Sequence, residues 1–305
     1  MRFAFYCWLA LALFPAMAFP QEKDSLRSAF LFREVRLELL SSAADRPASP
    51  TDLLLVNDGQ DLDHFRMQAV MDSLAGLHLI GPLLVVGIEA GDRLQEYGVS
   101  SRPDYQGRGA KAGAYDSFVV SELLPFLRRR TSLEFRSLTI AGCSLGGLSA
   151  FDIAWNHPEI FQRVGVFSGS FWWRDKDLAD PNYSDEKDRI LYAKIHDSPR
   201  HARMACWFYV GQKEETADRN HNGIIDAVED TRDLVRLLQE KNICRPPGLQ
   251  EEENPSGTHD YAHWSEYLPH FLLWAFGKRS RPDHPFREML LAPLECDSLI
   301  TASPR

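Results

Sequence analysis

Apolar and polar positions along the chain fall into a repeating series of short runs. REVRLELL, residues 33–40, alternates apolar with polar, as a half-exposed edge strand does. TDLLLVNDG, GPLLVVGIEA, RSLTIAG, QRVGVFSG and CWFYVGQ are almost wholly apolar and close on turn residues, the pattern of strands buried on both faces. LQEEEN is a weaker candidate for the last strand. Amphipathic stretches at 115–130, 145–156, 230–241 and 261–276 predict helices between them. Strand and helix in alternation predict an α/β fold: a mostly parallel central sheet with helices on both faces. Ligands in such sheets bind at the carboxyl edge of the strands. The stretch 171–204, rich in Trp, Asp and Lys, predicts an insertion over that edge.

Composition narrows this picture only a little. The chain has 305 residues and a formal net charge of −9. Its one basic run, Arg128 to Arg130, ends a predicted helix, so no groove for nucleic acid is expected. One domain is expected at 19–280, followed by a C-terminal tail at 281–305. At the amino end, Arg2 precedes an apolar stretch and then Ala16, Met17 and Ala18, the small-x-small form of a signal-peptidase site. No basic stop-transfer cluster follows. Residues 1–18 therefore predict a signal peptide, and the mature chain is expected to be secreted or periplasmic without stable membrane insertion.

The densest chemical signal is RSLTIAGCSLGGLSAFDIAW. A strand runs into Gly142, Cys143, Ser144, Leu145 and Gly146, and a helix follows at once. This is the G-x-S-x-G elbow in its required strand–turn–helix setting. A serine hydroxyl is a weak nucleophile and must project to meet a base. The turn crowds the residues two before and two after Ser144, and both are Gly. The Leu145 N–H, at the helix start, is a candidate oxyanion donor, and the Gln60 N–H, in the loop after LLLV, is the candidate second. A plain Asn-Asp-Gly turn reads equally well there.

The triad partners of such an elbow follow in the order acid, then His. His259, His263, His270 and His284 lie late enough in the chain. His259 sits in the turn-rich NPSGTHDYAHW just before a helix and is the preferred base. Pro255 and Gly257 put His259 at or before the helix start, so HDYAH is not expected to be a helical zinc motif. The acid follows CWFYV, with Glu214 favoured, Glu215 close behind and Asp218 open. Immediately behind them, 218–229 reads DRNHNGIIDAVE and matches the EF-hand loop template at every specified position. Asp218, Asn220, Asn222, the Ile224 carbonyl, Asp226 and Glu229 are its candidate ligands, and Gly223 supplies the turn. No helix fits ahead of the loop, so the expectation is structural Ca²⁺ pinning the acid, with no cofactor for the chemistry itself. Cys143 reads as a small buried filler. Cys206 and Cys244 are expected at the same end of the sheet, where a disulfide between them competes with Cys296; Cys7 falls within the expected signal peptide.

The strings LLLVNDGQ, VVGIEAGDRLQEYG, DYQGRGAKAGAY, AGCSLGGLSAFDIAWNHPEIF, VGVFSGSFWW and GTHDYAHWSEYLPHFLLWAF together cover most of 53–276. In them the chain resembles the putative-esterase family of α/β-hydrolases, which includes esterase D, feruloyl esterase-like and enterochelin esterase-like enzymes. The resemblance implies the α/β-hydrolase fold, Ser144 as nucleophile, His259 as base, oxyanion donors at Gln60 and Leu145, and an acid within GQKEE. The expected function is a serine carboxylesterase working through an acyl-enzyme on a small-molecule or glycan-linked ester, with Trp172 and Trp173 as candidate pocket walls. Two alternatives share the scaffold: an acyltransferase using the same triad, and a non-catalytic calcium- or carbohydrate-binding protein.

Overall fold

The computed structural model describes residues 22–42, 50–199 and 203–278. The expected signal peptide at 1–18, with Cys7, and the tail at 281–305, with His284 and Cys296, lie outside the described residues. Eight strands form one sheet: β1 (Glu22–Arg27), β2 (Glu34–Ser41), β3 (Thr51–Asn57), β4 (Leu83–Ile88), β5 (Phe135–Cys143), β6 (Arg163–Phe167), β7 (Ala205–Gly211) and β8 (Leu249–Asn254). Their spatial order is β1-β2-β4-β3-β5-β6-β7-β8. β1 with β2, and β2 with β4, pair antiparallel; the remaining pairs are parallel. The helices are α1 (Met67–Gly76), α2 (Arg93–Glu96), α3 (Ala112–Phe118), α4 (Leu124–Thr131), α5 (Leu145–Asn156), α6 (Asp185–Asp188), α7 (Ile190–Asp197), α8 (Asp226–Glu240) and α9 (Tyr261–Phe276).

The period of two along each strand builds both layers. In β3, Leu53 and Leu55 join the core under α4, α5, α7 and α8, while Leu54 and Val56 join the core under α1 and α9. β4 divides the same way, with Leu84, Val86 and Ile88 on one side and Leu83 and Val85 on the other. Strands covered on both faces can be apolar at every position, which is why β3 and β4 are buried throughout. β1 carries Glu22, Lys23 and Asp24, pairs only with β2 and forms one exposed edge.

The helix expected at 115–130 starts at Ala112 and contains a wide π turn at Val119–Leu123. Pro125 has no N–H to donate back to Ser121, so the ladder is rerouted there. Within 171–204, α7 packs on α8, and Trp173 is 1% exposed. Among the described residues no helix is long and apolar enough to cross a membrane.

Candidate active site

β5 ends at Cys143 and α5 begins at Leu145, which leaves Ser144 alone in the turn at φ 55°, ψ −123°. A non-glycine residue holds this conformation only when its surroundings over-determine it. Here they do. The Ser144 N–H donates to Phe167 O at 2.8 Å, and Ser144 O accepts from the N–H groups of Leu148 and Ser170, each at 3.1 Å. A Cβ at Gly142 would lie 2.5 Å from the Gly146 backbone, and one at Gly146 would lie 2.7 Å from Asp58 Oδ2. The crowding that demands Gly at both positions is therefore steric. The Leu145 N–H opens α5, where no intrahelical acceptor exists and the helix dipole is positive. Ser144 Oγ stands 3.4 Å from Ser170 Oγ.

Of the three carboxylates considered for the acid, the structure brings Glu214 to His259. Glu214 Oε2 lies 2.8 Å from His259 Nδ1. Its other oxygen accepts from the Gly211 N–H at 2.6 Å and from the Ser168 hydroxyl. Ser168 in turn accepts from Trp264 Nε1 at 2.8 Å, and Trp264 meets the His259 ring edge-on with centroids 5.0 Å apart. Glu214 is 2% exposed. Glu215 instead accepts the Ala227 N–H at 2.7 Å, capping α8, and its burial raises its carboxyl above the ordinary range. The two loops meet because Gly211 and Gly257 touch where a side chain would collide. His263 bonds the Thr258 hydroxyl at 2.9 Å, and His270 stacks edge-on to Tyr267. His259 and Ser144 make no direct hydrogen bond, and His259 Nε2 has no partner among the described residues.

Gln60 lies on the single turn Gly59–Asp61 after β3, and among the described residues its N–H forms no hydrogen bond. Residues that the sequence reading did not single out hold this turn against the elbow. Asn57 donates from Nδ2 to Gly146 O at 2.8 Å and accepts from Tyr115 Oη at 2.7 Å. Buried Asp58, at φ 59°, takes both Nε and Nη2 of Arg93, at 2.9 and 3.0 Å, and its N–H donates to Tyr97 Oη. Burial pushes the Tyr97 and Tyr115 hydroxyls up, so both stay protonated. The Cys143 thiol is raised for the same reason, with Asp58 adding to the effect, so it sits inert beside Ser144.

The 218–229 loop folds as a ring of short contacts. The Asn222 and Gly223 N–H groups donate to Asp218, the Ile224 N–H donates to Asn222, and both Asn220 and Asn222 donate amide hydrogens to Glu229. Asp218, Asn220, Asn222 and Glu229 thus converge. Asp226 departs from expectation. Its Oδ1 accepts from the Arg219 N–H at 2.9 Å and pairs with the Arg219 guanidinium, which is also held by Asp185 and Asp230. Among the described residues no group of three or more His, Cys, Asp and Glu side chains is placed to hold a metal ion.

Cys206 and Cys244, one of the open pairings, are both free thiols. The Cys206 N–H and the Cys244 thiol instead donate to the same oxygen, that of Gly248, at 2.8 and 3.4 Å.

Comparison with known proteins extends this description. The chain is 22% identical over 232 residues to the uncharacterized protein YbbA of Bacillus subtilis (strain 168), an alignment covering 73% of this chain and 84% of YbbA. The enterobactin esterase FES of Shigella flexneri superposes with a TM-score of 0.63 at 21% identity, covering 85% of this chain and 59% of that one. A ferulic acid esterase superposes with a TM-score of 0.60 at 17% identity, covering 84% and 97%. These likenesses, together with the strand order and the elbow, make the fold that of an α/β-hydrolase. Residues 33–275 match the family model described as "Putative esterase", and the chain belongs to that family.

Proposed function

We propose that the protein is a serine carboxylesterase with Ser144 as nucleophile, His259 as general base and Glu214 as the acid that orients it. The observation carrying this reading is the 2.8 Å bond from buried Glu214 to His259, at the same sheet edge as the strained Ser144 turn. Glu214 holds Nδ1 in its protonated form, which leaves Nε2 as the basic nitrogen. Substrate brings Ser144 Oγ off Ser170 toward Nε2, since catalytic hydrogen bonds tighten in the Michaelis complex. Oγ then attacks the ester carbonyl, and its proton passes to Nε2. The Leu145 and Gln60 N–H groups stabilise the oxyanion. His259 returns the proton to the departing alcohol, and water then cleaves the acyl-enzyme by the same path.

Names of similar proteins, enterobactin esterase and ferulic acid esterase, support a small-molecule ester as substrate. The apolar segment and small-x-small site at 1–18 support work outside the cytoplasm. The convergence of Asp218, Asn220, Asn222 and Glu229 supports a structural Ca²⁺ that stiffens the connection between Glu214 and α8. The decisive test is Ser144→Ala. Wild type hydrolyses 4-nitrophenyl acetate and is labelled by a fluorophosphonate, and the variant does neither. Equal rates for the two proteins remove the reading.

A further inference from the structure

The chemistry above leaves Trp172 and Arg174 without a role. Trp172 lies two residues beyond Ser170, so its backbone is within about 7 Å of the serine whose hydroxyl neighbours Ser144. Trp173 fixes the segment: it is buried against Gly98 and Gly109, where a Cβ would come within 3.4 and 3.3 Å of its ring. The Arg174 backbone is held too, its carbonyl accepting from the Tyr105 N–H at 3.0 Å and its strand-like contact reaching Arg189. A half-exposed indole therefore sits on a fixed backbone two residues from Ser170, the neighbour of Ser144.

Two guanidinium groups lie 5.7 Å from the Trp172 ring centroid, those of Arg108 and Arg174. Arg108 is neutralised locally, its Nε donating to Asp104 at 2.6 Å. Neighbouring Arg102 pairs with Asp175 at 2.7 Å. Arg174 has no such partner. Among the described residues its side chain makes no hydrogen bond or ion pair, and its Nε is buried without an acceptor. An unspent, partly desolvated charge beside an aromatic face is what an incoming planar anion satisfies.

We propose that Trp172 and Arg174, with Arg108 adding positive charge, form a specificity subsite for a carboxylate carried on an aromatic or other flat unsaturated group. The flat group packs against the indole beside the guanidinium groups that lie over it, and the Arg174 fork takes the carboxylate in two parallel hydrogen bonds. The substrate is then an ester that retains a free carboxylate. This last step rests on the esterase reading; the subsite itself does not.

Titration of the wild-type full chain with benzoate, benzamide and inorganic phosphate, followed by tryptophan fluorescence, separates the two. Benzoate should bind saturably and at least about tenfold more tightly than either control. Arg174→Gln should abolish that preference, and Arg174→Lys, which keeps the charge and loses the fork, should fall between. Equal affinities for benzoate and benzamide, phosphate binding as tightly as benzoate, or an Arg174→Lys protein indistinguishable from wild type would overturn the subsite. None of these probes is an ester, so failure to hydrolyse 4-nitrophenyl acetate would strike only the proposed function. If both stand, the ratio of kcat/KM for mono-4-nitrophenyl terephthalate to that for its methyl ester drops about tenfold or more in Arg174→Gln.

Discussion

Replacing Ser168 with Ala removes one hydroxyl that serves two buried partners. It donates to Glu214, which is 2% exposed, and accepts from the indole N–H of Trp264, which is 4% exposed. A hydrogen bond to a charged acceptor contributes about 1.5–3 kcal/mol, and an orphaned buried N–H costs about 1–3 kcal/mol. The two effects share one atom and do not add in full, so the expected loss is about 2–4 kcal/mol, or roughly 5–10 °C in Tm. Glu214 keeps the Gly211 N–H on the same oxygen and His259 on the other, so the carboxylate stays in place but less firmly aimed. On the proposed mechanism kcat for 4-nitrophenyl acetate falls about 10- to 100-fold with KM nearly constant, because aim matters in the transition state more than in binding. Trp264→Phe is the comparison. It deletes the N–H, keeps a ring beside His259 and leaves the Ser168–Glu214 bond intact, so stability drops with a much smaller loss of kcat. A Ser168→Ala enzyme with a lowered Tm and kcat within twofold of wild type would refute the positioning argument, as would equal kcat losses in the two variants.

Three further outcomes are expected. Gly142→Ala drives a methyl group into the Gly146 backbone at 2.5 Å and should cost about 1–3 kcal/mol by urea unfolding while cutting kcat at least about tenfold; a fully active variant would show that the elbow tolerates a side chain. Asp260 caps α9 by accepting the His263 N–H at 3.0 Å, and its carboxyl is lowered from the ordinary 3.8 to about 2, first by the Thr258 hydroxyl and then by that N–H. A depressed carboxyl contributes stability above its unfolded pKa and loses it as pH falls through the folded one. Asp260→Ala should therefore melt below wild type by an amount equivalent to about 1 kcal/mol at neutral pH, and that gap should close between about pH 4 and 2; a gap constant to pH 2 contradicts the assignment. Chelation should lower Tm and millimolar Ca²⁺ restore it, by about 2.7 kcal/mol at a hundredfold excess over Kd, with Glu229→Gln losing most of the response; a Tm blind to Ca²⁺ removes the metal from the mechanism.

Local pattern carried most of the architecture because buried parallel strands advertise themselves. The LLLV centre of β3 and the LLVVGI of β4 are buried on both faces and carry no polar side chain, and AGCSLGG needs its glycines for reasons confined to one turn. β1 was illegible because EKDSLR buries little and is held by main-chain pairing with β2, which no side-chain period records. α1 was missed although Met67, Met71, Leu74 and Ala75 are its buried residues at helical spacing; no side-chain cap marks its start, and Arg66 enters it with φ 55°. Three acids near Gly211 were open in sequence, with Glu214 favoured. What separates them is contact across the fold: Ser168, 46 residues away, and His259, 45 away, take Glu214, while the α8 start takes Glu215.

The same reasoning explains why Asp226, a candidate ligand by its loop position, pairs with Arg219. A motif fixes spacing, but Arg219 between the motif's first two ligands brings a buried cation of its own. That guanidinium is 8% exposed and reaches Asp185, Asp226, Glu229 and Asp230, and Asp230 is shared with buried Arg189. Breaking such a cluster by removing one member leaves uncompensated buried charge, which is costly. Asp185 and Arg189 belong to the insertion, so this cluster ties the insertion to α8 and to the loop that bears Glu214. Side chains from the insertion thereby anchor Arg219, which lies five residues beyond the candidate acid Glu214 on the same connection.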